Sequence, residues 1–288
     1  MASNMTQRVA FAAVAIPAAL AVVWQGGLPL AALVAVVGWL GTAELLAFAR
    51  RQGLSPFGPL ALVTAAAVPL LAWRTAADAA TAARFAAAWP YAVAMWVLVA
   101  LLATLARLKP SDRPLGSTAV TVLAPLYAGA LPAFLLAMRH AHYGSRSAAG
   151  TALVFFPLAT IWVVDSVAMT VGKRLGGPKF SPVVSPNKTW SGTIGGFAGG
   201  LALAPLYHLL VMRPLAVDVS PWHLLAIAAV LGVLGQLGDL TESLFKREVG
   251  LKDSSHLIPG HGGVLDRFDS LYFAIPLAAT LYKIFGVI

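Results

Sequence analysis

Apolar residues in this chain fall into long runs separated by short polar connections, and the runs lie at about residues 8–25, 28–49, 56–73, 84–106, 117–138, 148–171, 192–212, 222–240 and 264–285. A helix of about 20 apolar residues spans the hydrocarbon core of a bilayer. Lipid cannot satisfy a bare backbone, so each run of that length should close its own hydrogen bonds as a helix. The pattern predicts an all-α, polytopic integral membrane protein with about nine transmembrane helices. The first run, from Val9 to about Trp24, is followed at once by others and lacks a small-residue cleavage site, so it reads as a retained span. Residues 1–147 form an Ala- and Leu-rich multispan region with few special side chains, and residues 148–288 carry the polar segments expected of a membrane-embedded catalytic region.

Composition agrees with a lipid environment. Of the 288 residues, 59% are apolar and 11% are Asp, Glu, Lys or Arg, against roughly 25% charged in soluble domains. The absence of cysteine excludes disulfides, thiolate metal sites and cysteine nucleophiles. The net charge of +9 does not point to nucleic acid, because the basic residues lie between apolar runs and not on one soluble face. Anionic lipid head groups or a polyphosphate are the better partners.

The distribution of that charge sets an expected topology. Alternate connections, with Arg8, Arg50, Arg51 and the polar segments near Lys188 and Lys252, hold 14 of the 20 basic residues, and the other side holds 6. The positive-inside rule then places the N-terminus in the cytoplasm and the C-terminus outside. The two most polar connections, between the sixth and seventh and between the eighth and ninth spans, face the cytoplasm. His140, His142, Tyr143 and Arg146 fall on the opposite edge and read as interfacial.

From Gly235 to Ser270 the sequence is GQLGDLTESLFKREVGLKDSSHLIPGHGGVLDRFDS. Asp239, Glu242, Ser243, Lys246 and Arg247 recur at helical spacing and share one face. Acidic groups at the deeper end of that stripe and basic groups at the shallower end suit a cation site with phosphate above it, and an amphipathic helix end with internal ion pairs explains the stripe equally well. Gly262 and Gly263 precede Asp266, Arg267 and Asp269 at a helix start, a geometry in which backbone N–H groups approach an anion. So many ionisable groups at a membrane edge usually mark function. Gly192, Gly196 and Gly200 repeat every fourth residue and are explained by close helix packing. Glu44, near the cytoplasmic end of the second run, could line the site but reads better as a locally paired carboxylate.

These segments resemble the phosphatidate cytidylyltransferase (CDP-diacylglycerol synthase) family. Ser243, Lys246, Arg247, Lys252, Asp253, Ser255, Pro259, His261, Gly262, Gly263, Asp266, Arg267 and Asp269 match its signature residue by residue. SPNKTW at Ser185–Trp190 resembles a second element, with Ser191 where a glutamate is expected, and Asp165 matches a further acidic position. The resemblance covers about residues 160–270. It implies that a phosphate oxygen of phosphatidic acid attacks the α-phosphorus of CTP, in a bacterial cytoplasmic membrane with the active site on the cytoplasmic face, by a homodimer. Mg²⁺ prefers oxygen ligands, so the resemblance implies Asp239 and Asp266 as first-choice ligands, Asp269 and Asp165 as second, and room for a second cation. Lys188, Lys246, Arg247, Lys252 and Arg267 would neutralise phosphate charge. Ser185, Asn187, Thr189 and Ser243 would add donors, and His261 would contact phosphate or order the Gly-Gly turn.

Two rival readings remain at this point. A CTP-dependent lipid-alcohol kinase of the same superfamily would move the γ-phosphate instead. A transporter would suit the hydrophobic runs, although its ionisable groups would be expected near the midplane of repeated halves, whereas here they gather at one edge.

Overall fold

A computed structural model describes residue 13 and residues 17–288, apart from Pro259 and His261. Among the described residues seven helices are long and apolar enough to cross a membrane: α1 (Gly27–Arg51), α2 (Gly58–Ala77), α3 (Ala79–Arg107), α4 (Pro114–His140), α5 (Ala148–Leu175), α6 (Trp190–Met212) and α7 (Pro221–Glu248). Two short helices follow, α8 (Leu265–Phe268) and α9 (Leu271–Ile284). The architecture is that of an all-α polytopic membrane protein, as the apolar runs require.

The two further spans expected from the sequence, the first and the ninth, are not among these seven described helices. The first run lies partly outside the described residues, and its helical part covers 17–25. The ninth is interrupted at Asp269 and Ser270, because the Asp269 carboxylate accepts the Ser270 amide at 2.6 Å and so competes with the helical pattern. The 14 residues of α9 rise only about 21 Å, less than the roughly 30 Å hydrocarbon core.

Two of the long helices contain wide turns. Leu126–Ala130 in α4 and His208–Met212 in α6 are π-helical, an arrangement frequent at functional sites and helix irregularities. The polar connection between α5 and α6 is not wholly irregular. It forms a small antiparallel hairpin, β1 (Lys179–Ser181) and β2 (Ser185–Thr189), with Lys179 opposite Thr189 and Ser181 opposite Ser185. Thr189 then caps α6, its hydroxyl accepting from the Gly192 amide at 3.2 Å.

Helix α6 packs along α5 through the repeated glycines. A Cβ built on Gly192 would meet the Ala168 carbonyl at 2.6 Å, and one on Gly196 would meet the Val164 carbonyl at 2.6 Å. Only hydrogen fits at these positions, so the four-residue repeat is a packing device, as expected of small residues between membrane helices. The main buried core joins Leu30 of α1, Leu136 of α4, Ile161 of α5, Leu224 of α7 and Ile275 of α9. Residues 1–147 and 148–288 therefore share one core. By contrast α3 buries only Ala100 and presents its large apolar side chains outward.

The antiparallel run of the helices sorts their ends. The C-termini of α1, α3, α5 and α7 and the N-termini of α2, α4 and α6 lie at one edge of the bundle, where the hairpin and the Leu251–Val264 connection are found. The other ends, including His140 and Gly27, lie at the opposite edge.

Candidate active site

The polar segments singled out in the sequence meet at that first edge in two adjoining parts. One is a cavity of about 740 Å³ between α5, the hairpin, the start of α6 and α7, a size suited to a small-molecule ligand. Asp165 of α5 and Asp239 of α7 both face it, as do Lys173, Lys179, Asn187 and Lys188. The Lys188 ammonium lies 2.6 Å from Asp239 Oδ2 and 3.4 Å from the Gln236 carbonyl, so β2 is tied directly to α7. Ser243 Oγ, one turn on, donates to Asp239 Oδ1 at 3.2 Å. Both partners of the Lys188–Asp239 pair are about a quarter exposed, which leaves them open to exchange with a ligand.

The second part is a buried charge network. Lys246 Nζ lies 2.5 Å from Glu242 Oε2 and 2.6 Å from Asp266 Oδ1. Asp266 Oδ2 accepts from the Ser254 amide at 2.7 Å and the Gly263 amide at 2.8 Å, and it shares the one proton of the Ser254 hydroxyl, 2.8 Å away, with Glu44 Oε2. Both oxygens of Asp266 are thus engaged by the protein's own donors. The Glu242–Lys246 pair is the internal ion pair that the stripe on α7 allowed. Removing one member of such a buried set leaves an uncompensated charge, at a cost of about 3–5 kcal/mol.

Glu44 of α1 completes the network. Its expected local pairing is replaced by contacts more than 200 residues away. Oε1 accepts from Ser255 Oγ at 2.6 Å and the Val264 amide at 3.0 Å, and Oε2 accepts from Ser254 Oγ at 2.9 Å and the Leu265 amide at 2.8 Å. The glycines serve this clamp. Gly262 has φ +81°, which favours glycine, and a Cβ on Gly263 would fall 2.3 Å from Glu44 Oε1. The anions that the Gly-Gly turn approaches are therefore Asp266 and Glu44 themselves.

The remaining expected residues lie around these two parts. Asn187 lines the cavity and Thr189 lines it while capping α6, and Ser185 begins β2. Ser191, where a carboxylate was expected, donates to the Gly176 carbonyl and so holds the hairpin's entry to α6. Arg247 is exposed and donates to the Val184 carbonyl at 3.3 Å and the Leu251 carbonyl at 2.9 Å, bracing the hairpin against α7. Lys252 and Arg267 are exposed. Asp269 lies within electrostatic reach of Asp239, Glu242 and Asp165. His261 lies outside the described residues.

Among the described residues no group of three or more His, Asp or Glu side chains is assembled as a metal cluster. Asp165 and Asp239 nevertheless face one cavity with further oxygen donors, and the fully buried Glu242 leaves Oε1 without a protein donor. Such a set fits an ion that takes one or two carboxylates and draws its other ligands from water and phosphate, as Mg²⁺ does.

The model for the "Cytidylyltransferase family" aligns with residues 6–285, nearly the whole chain. The chain belongs to the cytidylyltransferase family. Among its relatives, the phosphatidate cytidylyltransferase of Brucella abortus is 47% identical over 139 residues, 48% of this chain and 48% of that protein. The Staphylococcus saprophyticus enzyme of the same name is 43% identical over 139 residues, 48% of this chain and 52% of its own length. The Haemophilus influenzae phosphatidate cytidylyltransferase is 42% identical over 166 residues, 57% of this chain and 55% of that protein. These alignments span about half the length of each relative, whereas the cytidylyltransferase family match extends through the N-terminal helices that supply Glu44.

Proposed function

We propose that this cytidylyltransferase family member joins CTP to phosphatidic acid, forming CDP-diacylglycerol and releasing pyrophosphate. The observation that carries the reading is the cavity in which Asp165 and Asp239 face Lys173, Lys179 and Lys188 at one membrane edge, in a chain of this family. An oxygen of the lipid phosphomonoester forms the new bond to the α-phosphorus, and the bond from that phosphorus to the bridging oxygen of pyrophosphate breaks. With a second pKa near 6, the attacking phosphate is already largely ionised at neutral pH, so no general base is required. The obstacle is the approach of one anion to another, and fixed cations remove it.

Lys173, Lys179 and Lys188 would meet the triphosphate, and Asn187 and Thr189 would add donors. Asp239 and Asp165 would hold Mg²⁺, which would supply charge neutralisation at the phosphates when bound; Asp269 would be the candidate ligand for a second cation. Asp266, fully engaged by Lys246, Ser254 and Gly263, would act chiefly by fixing the loop. Lys252, Arg267 and His261, carried by or following that loop, would act on phosphate charge once it is held in place. The protein would work as a homodimer in a bacterial cytoplasmic membrane.

The test uses purified protein in detergent with phosphatidic acid and CTP labelled at the α or the γ phosphorus. Label from the α position is expected in the lipid and label from the γ position in pyrophosphate. Transfer of γ label to lipid would establish a kinase instead, and no consumption of CTP without a sealed compartment would favour transport. The orientation has its own check, made clean by the absence of cysteine. Lys252→Cys is expected to react with an impermeant reagent only from the cytoplasmic side and His142→Cys only from the other. The reverse pattern would overturn the topology.

A further inference from the structure

The edge of the bundle opposite the catalytic cavity contains a second cavity of about 780 Å³, formed where α1 begins and where α2 and α4 end. Its polar lining includes Arg146, His140, His142, Tyr143 and Ser145, with Trp73 as the aromatic wall, and no carboxylate lines it. The carboxylate nearest in sequence, Asp78, is instead turned to the start of α3, where it accepts from the amides of Ala80 and Thr81. Arg146 and His142 are exposed and so are available to a ligand.

Directly behind this cavity lies a charge that the rest of the fold does not neutralise. Arg139 is fully buried, and its guanidinium donates to the carbonyls of Val23 at 2.8 Å, Trp24 at 2.6 Å and Gly144 at 2.9 Å. All three partners are neutral, and among the described residues no carboxylate forms an ion pair with it. Only Gly26 separates it from the cavity: a Cβ there would meet Arg139 Cζ at 3.0 Å and His140 Cε1 at 2.9 Å. His140 is itself fixed, because Nε2 accepts the Gly27 amide at 3.0 Å. Buried charge is normally compensated, and here the open side on which a compensating anion could sit is the cavity.

We infer that this cavity is a binding site for the phosphate of an anionic phospholipid in the leaflet opposite the active site. The lipid source follows from position. Trp73 and Tyr143 border the cavity and the half-exposed Trp24 lies beside it, the placement of aromatic residues at the level of lipid head groups. Arg146 supplies planar donors that match phosphate oxygens, and Arg139 supplies a fixed positive potential behind them. The site shares no lining residue with the cytidylyl-transfer cavity.

The experiment measures lipid retention by native mass spectrometry and melting temperature for the purified protein in neutral detergent. Phosphatidylglycerol, phosphatidylcholine and inorganic phosphate are added separately. Wild-type protein is expected to prefer phosphatidylglycerol. Arg146→Gln is expected to weaken that preference about fivefold, the effect of one basic contact to an anionic lipid surface. His142→Gln serves as a second variant, and CTP consumption is expected to be unchanged in both. Competition by millimolar inorganic phosphate would keep the phosphate site but assign its ligand to the soluble phase. A wild-type protein with no preference for phosphatidylglycerol over phosphatidylcholine would overturn the proposal. So would a preference unaltered in both variants, because the retained lipid would then lie elsewhere.

Discussion

Asp239→Asn is expected to lower turnover by about a hundredfold or more while leaving the protein folded. The substitution keeps the shape of the side chain and removes its charge. Lys188 then loses its ion pair beside Lys173 and Lys179, and the proposed cation loses a ligand facing the cavity. Loss of one preorganised group that stabilises transition-state charge typically costs about 2.7–4 kcal/mol, or two to three powers of ten in rate. The pair is partly exposed, so its contribution to stability is small and the melting temperature should move little. Kinetic constants at saturating Mg²⁺, with the melting temperature measured alongside, check both parts. A variant that kept more than about a tenth of wild-type turnover would remove Asp239 from the machinery.

Glu44→Gln is expected to have a comparable effect on activity by another route, because Glu44 touches only the loop and α8. Its two oxygens face two serine hydroxyls and two backbone amides. Glutamine offers one oxygen and one amide nitrogen, so the backbone amide on the nitrogen's side, Val264 or Leu265, faces another donor, while the serine hydroxyl there can turn to accept. Hydrogen bonds to a charged group contribute about 1.5–3 kcal/mol each, and losing one outright together with the charge behind the others should loosen residues 251–264 from the bundle. Unlike Asp239→Asn, this variant should show faster proteolysis within that loop and a lower melting temperature. A protected loop together with full activity would show that the clamp is dispensable.

The two variants also mark what was legible in the sequence. Asp239, Ser243 and Lys246 could be placed on one face of α7 because helical spacing alone fixes it. The packing role of Gly192, Gly196 and Gly200 was legible for the same reason. Helix positions followed from apolar runs, since lipid leaves the backbone few alternatives. The break before α9 was not, because it depends on one aspartate capturing the next amide. The hairpin was missed because five- and three-residue strands carry almost no periodicity. Glu44 was legible as a carboxylate able to line the site, but a local pair was favoured because its partners lie 210 to 221 positions away and nothing near Glu44 reports them. The same holds for the roles of Gly262 and Gly263. The turn was recognisable as an anion cradle, but only the fold reveals that the anions include Asp266 and Glu44.

The Glu44 clamp bears on how the protein assembles during synthesis. Glu44 leaves the ribosome with the second apolar run, whereas Ser254 follows 210 residues later, about 10–40 s at ordinary elongation rates. Throughout that interval the first helices must hold an acidic side chain at the membrane edge without its final donors. Closure then comes late and joins the early helices to the last ones in a single step. A chain interrupted before residue 254 would lack both the donors that hold Glu44 and the α9 part of the shared core, so the proposed activity would be a readout of completed translation.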